Sequence, residues 1–225
     1  MQVLYEDNHL IVVFKESGEI VQGDRTGDEP LSETVKRYLK EKYRKTGAVF
    51  LGVVHRLDRP VWGLVVFAKT SKALERLNRM FANGEIHKTY WAVTRNRPLQ
   101  DEGILEHWLV RNERQNKSYA YDSERPQSKR AILKYRVIGA SDRCFLLEIN
   151  LLTGRHHQIR CQLSKIGCPI RGDLKYGDKR SNPDGSISLL SRRVEFIHPV
   201  SKELIKLESP LPKDKLWKSF GETCE

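Results

Sequence analysis

The sequence predicts an α+β fold built on a mixed, mainly antiparallel central sheet with flanking helices and loops. Two observations lead to this fold class. Short apolar runs rich in β-branched and aromatic residues recur along the 225 residues, as in strands. A few stretches with apolar residues at helical spacing lie between them. The length suits a single domain over 1–225, which can have two lobes.

Net charge is the most informative bulk property. Lysine and arginine number 40 against 29 aspartates and glutamates, which leaves a formal charge of +11. A protein this basic most often contacts a polyanion, usually nucleic acid, although an ordinary solvated basic surface explains the same number. The four cysteines form no C-x-x-C pair and have no metal-ligand spacing with the histidines.

The location expected for the chain is the cytoplasm. Scattered thiols are typical of a reducing compartment. Residues 1–10 contain acids and no apolar core of a signal peptide. No apolar run approaches the roughly 20 residues that a membrane helix needs.

The first elements are predicted to be two strands, a loop and a helix. The strands are 3–5 and 10–14, and the polar, glycine-containing segment 15–28 is a loop. Pro30 suits the first turn of the helix. Its apolar face comprises Leu31, Val35, Tyr38 and Leu39. Basic residues crowd the rest of it, most simply as a solvated face: Lys36, Arg37, Lys40, Lys42, Arg44 and Lys45.

A second amphipathic helix is predicted to start at an N-cap, Ser71, and to stop at Gly84. The strand 86–94 follows. Its predicted faces alternate, with Lys88, Tyr90 and Ala92 on one side and His87, Thr89, Trp91 and Val93 on the other.

The remaining elements are mostly strands. We expect strands at 104–110, 131–138, 144–152, 189–197 and 204–207. The charged segment 111–129 is expected to be an exposed loop or hairpin, and 217–225 a weak tail. A helix is predicted from about His156 to Ile166, where Gly167 ends it.

A single acid stands out between two predicted buried strands, 53–54 and 64–67. The acid is Asp58, and Pro60 soon after it stiffens the backbone. The cations around it are His55, Arg56 and Arg59. This setting would hold a carboxylate ionised and in a fixed direction, as a catalyst requires. A structural ion pair at a strand end explains the same pattern.

Two further segments combine polar groups with apolar support. Tyr90 lies on a predicted strand, where packing is the usual role of a tyrosine. The segment 152–160 places two arginines and two histidines near a helix start, where anions are attracted. A basic surface helix is the plainer interpretation. A metal site is not expected, because adjacent histidines cannot share one helical face and no carboxylate or thiol has ligand spacing beside them.

Other catalytic machinery is missing from the sequence. It contains no G-x-x-x-x-G-K-[ST], G-x-G-x-x-G, G-x-S-x-G or H-E-x-x-H motif. A nuclease that uses two metals would need several close carboxylates, and Asp58 is the acid in a suitable setting. One carboxylate with arginines and a tyrosine can carry out covalent chemistry at a sugar or base without a cofactor.

Several segments together resemble the RluA-type pseudouridine synthases. Residues 55–58 are similar to the H-R-L-D motif of that family, and Lys88 and Tyr90 to its K-x-Y strand. Residues 153–177 resemble its T-G-R-x-H-Q-I-R…G-x-P-I-x-G-D…Y-G block, and 5–18 its opening. The resemblance covers nearly the whole chain, in the same order.

The resemblance implies a pseudouridine-synthase-like fold with the active site in a cleft across the sheet. It also implies isomerisation of uridine to pseudouridine in structured rRNA or tRNA, without a cofactor. Asp58 would be the catalytic carboxylate, Tyr90 would stack on the target base, and Arg155 would pair with Asp58. Arg56 would fill the gap left by the flipped nucleotide.

The resemblance also implies several supporting residues. Ile159 and Leu163 would form apolar pocket walls, and Arg160 would contact an RNA phosphate or support the site. His55 and Trp62 are further candidates for RNA binding.

The sequence departs from the family at three points. Trp62 stands where the family usually has Ser or Thr, so it can narrow the pocket or offer a stacking surface. Gln162 stands where the family often has His. No S4-like RNA-binding domain is expected before the catalytic region, so 31–44 and 111–129 would hold RNA.

A monomer is expected. The rival interpretations are an RNA-binding module that has lost catalysis and a metal-dependent nucleic-acid hydrolase.

Overall fold

The computed structural model describes residues 1–24 and 26–221. The strands are β1 Gln2–Glu6, β2 Leu10–Lys15, β3 Gly52–Val53, β4 Trp62–Ala68, β5 His87–Thr94, β6 Glu102–Asn112, β7 Lys117–Tyr121, β8 Lys129–Ser141, β9 Cys144–Leu151, β10 Leu189–Ile197 and β11 Leu204–Glu208. The helices are α1 Leu31–Lys42, α2 Ser71–Ala82, α3 Gln158–Lys165 and α4 Lys215–Gly221, with a short 3-10 helix at Leu174–Tyr176. None of the helices described has the length and apolarity that a bilayer span requires.

The chain forms two compact units. Unit 1 contains residues 1–86 and 191–210, and unit 2 contains residues 87–190 and those from 211 onward. The pairs β1–β2, β2–β4, β3–β4, β10–β11, β5–β9, β9–β8, β8–β6 and β6–β7 are antiparallel. The α+β prediction with a mainly antiparallel sheet is confirmed.

The sheet of unit 1 has the strand order β1-β2-β4-β10, with β3 paired to β4 and β11 paired to β10. β2 pairs with β4 from Leu10↔Ala68 to Lys15↔Gly63. These strands are buried on both faces, because apolar residues occupy successive positions along them. α2 contributes Ala73, Leu77 and Met80 to the same core cluster.

The N-cap of α2 is Thr70, so the predicted cap at Ser71 is wrong. The Thr70 side chain accepts a hydrogen bond from the backbone N–H of Ala73. Thr70 has an extended backbone (φ −136°, ψ 151°), which a cap residue needs, whereas Ser71 is already helical.

Glu6 of β1 fixes the C-terminal end of α1 to the sheet of unit 1. Its carboxylate accepts hydrogen bonds from Tyr38 at 3.0 Å, Lys42 at 2.7 Å, Tyr43 at 2.6 Å and Lys69 at 2.9 Å. Burial alone would raise the pKa of Glu6, but these four donors outweigh it and lower the pKa to about 2. Lys42 therefore stabilises the fold by binding Glu6, whereas the sequence predicted that it lies on a solvated basic face.

The sheet of unit 2 has the strand order β5-β9-β8-β6-β7. The segment 111–129 forms a hairpin, as one of its two predicted forms, because β6 extends to Asn112 and β7 pairs with it. α3 packs on one face of this sheet, where Cys161 and Tyr176 cluster with Leu109 and Ala131.

The weak tail predicted at 217–225 is wrong for its described part, which belongs to α4. Trp217 and Phe220 of α4 are buried. The ring of Phe220 lies against Gly139, where an added Cβ would approach its Cδ1 atom to 3.2 Å. Two buried aromatic side chains are enough to hold a two-turn helix on the sheet, although they are too few to show helical periodicity. Residues 222–225 lie outside the described part of the chain.

Candidate active site

In unit 1, Asp58 lies in the segment 54–61 between β3 and β4. β3 is only two residues long, and its pairing with β4 stops at Val53↔Phe67. The next step of the ladder is made by a side chain, because Nε2 of His55 accepts the backbone N–H of Val66 at 3.0 Å. The imidazole also stacks on Phe81 of α2, with 5.0 Å between ring centroids. His55, expected to bind RNA, thus anchors the segment that carries Asp58.

Lys15 holds the same segment from the end of β2. Its side chain is fully buried, and its ammonium group donates to the carbonyl oxygens of Glu16 at 2.9 Å, Arg59 at 3.1 Å and Val61 at 2.8 Å. Burial lowers the pKa of Lys15 to about 8, although the negative charges of Glu19 and Asp58 raise it. The sequence interpretation missed this residue, which it placed at the start of a loop.

The backbone around Asp58 forms a tight turn. The Asp58 carbonyl accepts the N–H of Val61 at 3.0 Å, and the Arg59 carbonyl accepts the N–H of Gly18 at 2.9 Å. Leu57 is buried on one side of Asp58, whose own side chain is half-buried. These bonds fix the backbone of the turn at Asp58 and Arg59.

The other cations near Asp58 have different surroundings. Arg59 pairs with Asp28 at 2.7 Å and donates to the Thr26 hydroxyl at 2.7 Å, so it holds the loop 16–28. Arg56 is exposed.

Trp62 and Gly63 begin β4. The Trp62 ring lies over the Phe14 ring, with 6.3 Å between centroids and 28° between planes. Gly63 has φ +123°, and an added Cβ would lie 2.6 Å from the backbone N of Ser191. Only glycine therefore fits at this position.

In unit 2, Lys88 of the K-x-Y strand lies close to Gly154 in the turn before α3. Lys88 and Tyr90 share a face of β5, and Tyr90 is buried at 7% exposure. A Cβ at Gly154 would lie 3.5 Å from Nζ of Lys88, so the amine reaches the turn 153–155. Burial lowers the pKa of Lys88. The opposite face of β5 presents Thr89, which donates to Asn150 on β9, as the predicted alternation requires.

The turn before α3 is held by the amide of Gln158. Its oxygen accepts the hydroxyl of Thr153 at 2.8 Å and the N–H of Arg155 at 2.9 Å, and its nitrogen donates to the Ile132 carbonyl at 3.0 Å. The guanidinium of Arg155 is exposed, and its Nε donates to the Arg130 carbonyl at 3.0 Å. These bonds hold both the backbone and the side chain of Arg155 against β8.

α3 begins at Gln158, two residues later than predicted. His157 has a left-handed backbone with φ 52°, and the rings of His156 and His157 stack at 3.8 Å. The argument that adjacent histidines cannot share a helical face therefore does not apply, because both precede the helix. Among the residues described, no group of three metal-ligating side chains comes together.

Arg160 lies inside unit 2. Its guanidinium forms two hydrogen bonds with Asp173, at 2.7 and 2.9 Å, and lies over the Tyr176 ring at 5.0 Å. Both charged side chains are almost fully buried. Of the two roles expected for Arg160, this geometry fits support of the site, and it does not fit contact with an RNA phosphate. Ile159 and Leu163 are also buried.

Gln162, which stands where the related family often has His, has a structural role. Its Nε2 group reaches Leu105 O at 3.1 Å, His107 Nδ1 at 3.0 Å and Ala131 O at 3.1 Å. The side chain is fully buried and joins α3 to β6 and β8. Sequence reasoning noted the replaced histidine but had no signal for these partners.

Two solved structures share the fold of this chain. The human RNA pseudouridylate synthase domain containing 4 has a TM-score of 0.80 and 22% identity, over 97% of this chain and 92% of that one. The human RNA pseudouridylate synthase domain containing 1 has a TM-score of 0.74 and 21% identity. The protein therefore has the pseudouridylate synthase fold.

Sequence comparison gives the family. A model of the RNA pseudouridylate synthase family matches residues 9–165. Ribosomal large subunit pseudouridine synthase C of Rickettsia prowazekii (strain Madrid E) is 33% identical over 93% of this chain and 68% of its own length. Ribosomal large subunit pseudouridine synthase D of Zymomonas mobilis is 30% identical over 95% of this chain and 70% of its own length. The chain belongs to the RNA pseudouridylate synthase family and is an isomerase.

Proposed function

We propose that this chain isomerises specific uridines in structured ribosomal RNA, with Asp58 as the catalytic carboxylate. The observation that supports this role most directly is the buried Lys15, whose bonds to Arg59 and Val61 hold the turn that presents Asp58. A plain surface turn does not need a buried lysine, whose desolvation is costly. Holding a catalytic group in one geometry before the substrate arrives lowers the entropy cost of the reaction.

The reaction rearranges one nucleotide without gain or loss of atoms. The bond between N1 of uracil and C1′ breaks, the base turns, and C5 is joined to C1′. The C5 proton leaves and N1 ends with a proton, so no oxidant, reductant or cofactor is consumed. Asp58 supplies the carboxylate for the steps at C1′.

Tyr90 and Arg155 complete the proposed catalytic group. Tyr90 stacks on the target base and lies near the C5 proton that must leave. Arg155 pairs with Asp58 and keeps it ionised and directed. Nε of Arg155 donates to the Arg130 carbonyl at 3.0 Å, which restrains the guanidinium.

The other residues have supporting roles in this proposal. Arg56, which is exposed, replaces the flipped uridine in the RNA. Ile159 and Leu163 form apolar walls, and Trp62, stacked on Phe14, shapes the entrance.

We favour ribosomal RNA as the substrate because the relatives from Rickettsia prowazekii and Zymomonas mobilis are named ribosomal large subunit pseudouridine synthases. Transfer RNA is the alternative. The basic helix α1 and the β6–β7 hairpin hold the RNA backbone. We propose that the protein acts as a monomer in the cytoplasm.

The test is chemical mapping of pseudouridine in RNA incubated with the protein. Asp58→Asn should lose pseudouridine formation and keep RNA affinity. Asp142→Asn, an exposed acid in the β8–β9 turn, is the matched control and should remain active. Pseudouridine made by Asp58→Asn at the wild-type rate would overturn the proposed site. RNA binding by the wild-type protein without product would favour the binding-only alternative.

A further inference from the structure

The β6–β7 hairpin carries a cavity that the proposed catalytic site does not use. The cavity has a volume of about 630 Å³ and is open to solvent. Its size falls within the range of small-molecule sites, roughly 300–1,000 Å³. It is lined by Val110, Arg111, Arg114, Gln115, Tyr119 and Tyr121, among others.

The two tyrosines lie on the outer face of the hairpin. Directly opposed residues of antiparallel strands share a face, and Tyr119 opposes Val110 while Tyr121 opposes Trp108. The alternate residues point to the face on which α3 packs, where Ala120 lies against the cluster of Leu109. The tyrosines are therefore not part of the core, and Tyr119 is 39% exposed.

Cations accompany these rings. The guanidinium of Arg125 lies 4.5 Å from the Tyr121 ring centroid, and Nζ of Lys117 lies 5.5 Å from that of Tyr119. Residues 111–130 contain six arginines and lysines against three acids, a net charge of +3. Aromatic rings for stacking, beside cations for phosphate, are the chemistry that recognises unpaired nucleotides.

The tip of the hairpin is held in one conformation. Asn112 Oδ1 accepts the N–H of Gln115 at 3.1 Å, and the Tyr119 hydroxyl donates to Gln115 Oε1 at 2.5 Å. Lys175, from outside the hairpin, donates to the Asn116 carbonyl at 3.1 Å. A site held in this way has less entropy to lose when a ligand binds.

We propose that this cavity binds one unpaired nucleotide of the RNA substrate, with its base against Tyr119 and Tyr121 and its phosphate near Arg114. The inference rests on the proposed RNA substrate and adds a second point of contact, on the face of the unit 2 sheet opposite to Tyr90. It explains why the hairpin extends beyond Leu109, the last residue of β6 that pairs with β8.

The probe is a labelled single-stranded oligouridylate of about eight nucleotides, compared with an RNA duplex of the same length. The wild-type protein should bind the single strand more tightly. The double variant Tyr119→Ala/Tyr121→Ala should weaken that binding by about tenfold or more, since stacking on an aromatic ring is lost. Tyr121→Phe keeps the ring and should bind as the wild type does. Unchanged affinity in the folded double variant would overturn the proposal.

A charge variant tests the phosphate contact independently of the tyrosines. Arg114→Gln should reduce the slope of log K against log salt by about one. Arg143→Gln, an exposed arginine in the β8–β9 turn, is the matched control and should leave the slope unchanged. If the tyrosine variant fails to fold, an unchanged slope for Arg114→Gln overturns the proposal.

Location is tested by photocrosslinking. The same oligonucleotide with 4-thiouridine should crosslink to the peptide containing Tyr119 and Tyr121, and its absence from the crosslinks overturns the site. Asp58→Asn should crosslink normally. The two proposals fail in different ways. Pseudouridine formation retained by Asp58→Asn would overturn the catalytic assignment, whereas unchanged oligonucleotide binding by Tyr119→Ala/Tyr121→Ala would overturn the cavity.

Discussion

Nε2 of His55 accepts the backbone N–H of Val66 at 3.0 Å, so a side chain continues the β3–β4 ladder after β3 has ended. Val66 is fully buried, and without this acceptor its N–H group would have to find another partner inside the core. His55, which precedes Arg56, Leu57 and Asp58, is therefore part of the frame that carries Asp58.

This relationship predicts that His55→Ala lowers stability by about 1–3 kcal/mol, the cost of an unsatisfied buried donor. The variant should also lower kcat, because the segment 54–61 loses its anchor, with little effect on RNA affinity. Urea unfolding and pseudouridine assays measure both quantities. His87→Ala, an exposed histidine at the start of β5, is the control. A loss of RNA affinity alone would instead support the RNA contact expected from the sequence.

Lys15 predicts a pH effect on activity. The protonated amine has three N–H groups for the carbonyls of Glu16, Arg59 and Val61, and the neutral amine has two. Because the pKa of Lys15 in the folded protein is about 8, kcat should fall as pH rises through about 8. Lys15→Met should have a lower kcat without that step, whereas the exposed Lys40→Met keeps it. A Lys15→Met profile with the wild-type step would contradict this assignment.

Lys15 also predicts an effect of pH on stability, and its sign is opposite to that of the effect on kcat: stability should rise as pH rises above about 8. The unfolded chain keeps its proton up to about pH 10.5, and the folded protein loses it near pH 8, so the cost of the buried charge is fully present below pH 8. That cost should be relieved between pH 8 and 10.5, by about 3 kcal/mol. Unfolding of the wild type and of Lys15→Met across this range measures the difference.

Glu6 predicts a stability loss in acid. Its pKa is about 2 in the folded protein and about 4.5 in the unfolded chain, so its contribution is present above pH 4.5 and is lost as pH falls towards 2. At neutral pH the contribution is about 3 kcal/mol. Glu6→Gln should lose it and should show a weaker acid dependence in unfolding experiments. Glu195→Gln, which breaks a surface pair with Lys206, should cost about 1 kcal/mol or less.

The pair of Arg160 and Asp173 predicts a larger effect. Asp173→Asn leaves a buried guanidinium without its counter-charge, which costs about 3–5 kcal/mol. The exposed pair of Arg97 and Asp101 is the control, and Asp101→Asn should change stability little. Thermal unfolding distinguishes the two cases. An Asp173→Asn protein of wild-type stability with weakened RNA binding would show that Arg160 contacts RNA after all.

The elements that the sequence predicted correctly are those with strong local patterns. β2 and β4 have continuous apolar runs, and α2 has a regular apolar face. The candidate site followed from short motifs around Asp58, Tyr90 and Arg155, whose spacing is local.

What the sequence did not predict depends on partners far along the chain. Lys15 owes its role to carbonyl groups 44 and 46 residues away, and a buried lysine looks like any surface lysine in sequence. α4 is buried through Trp217 and Phe220, of which Phe220 lies against Gly139 of β8. His55 accepts an N–H group of β4, a strand that begins after it. Thr70 and Ser71 are both good capping residues, and backbone geometry decided between them.

β10 has a further consequence, for the order in which the protein is assembled. The strand starts with Leu189 and Leu190 in unit 2 and continues from Ser191 in unit 1, and unit 1 receives its last strand only with Glu208. Strands β5 to β9 of unit 2 have all been made by Leu151. During synthesis from the N-terminus, the sheet of unit 1 is thus begun first but receives β10 and β11 only after β5 to β9 have been made, so the edge of β4 stays unpaired until most of the chain exists. An open strand edge is a site of mispairing, so this interval is where a nascent chain is most exposed to it.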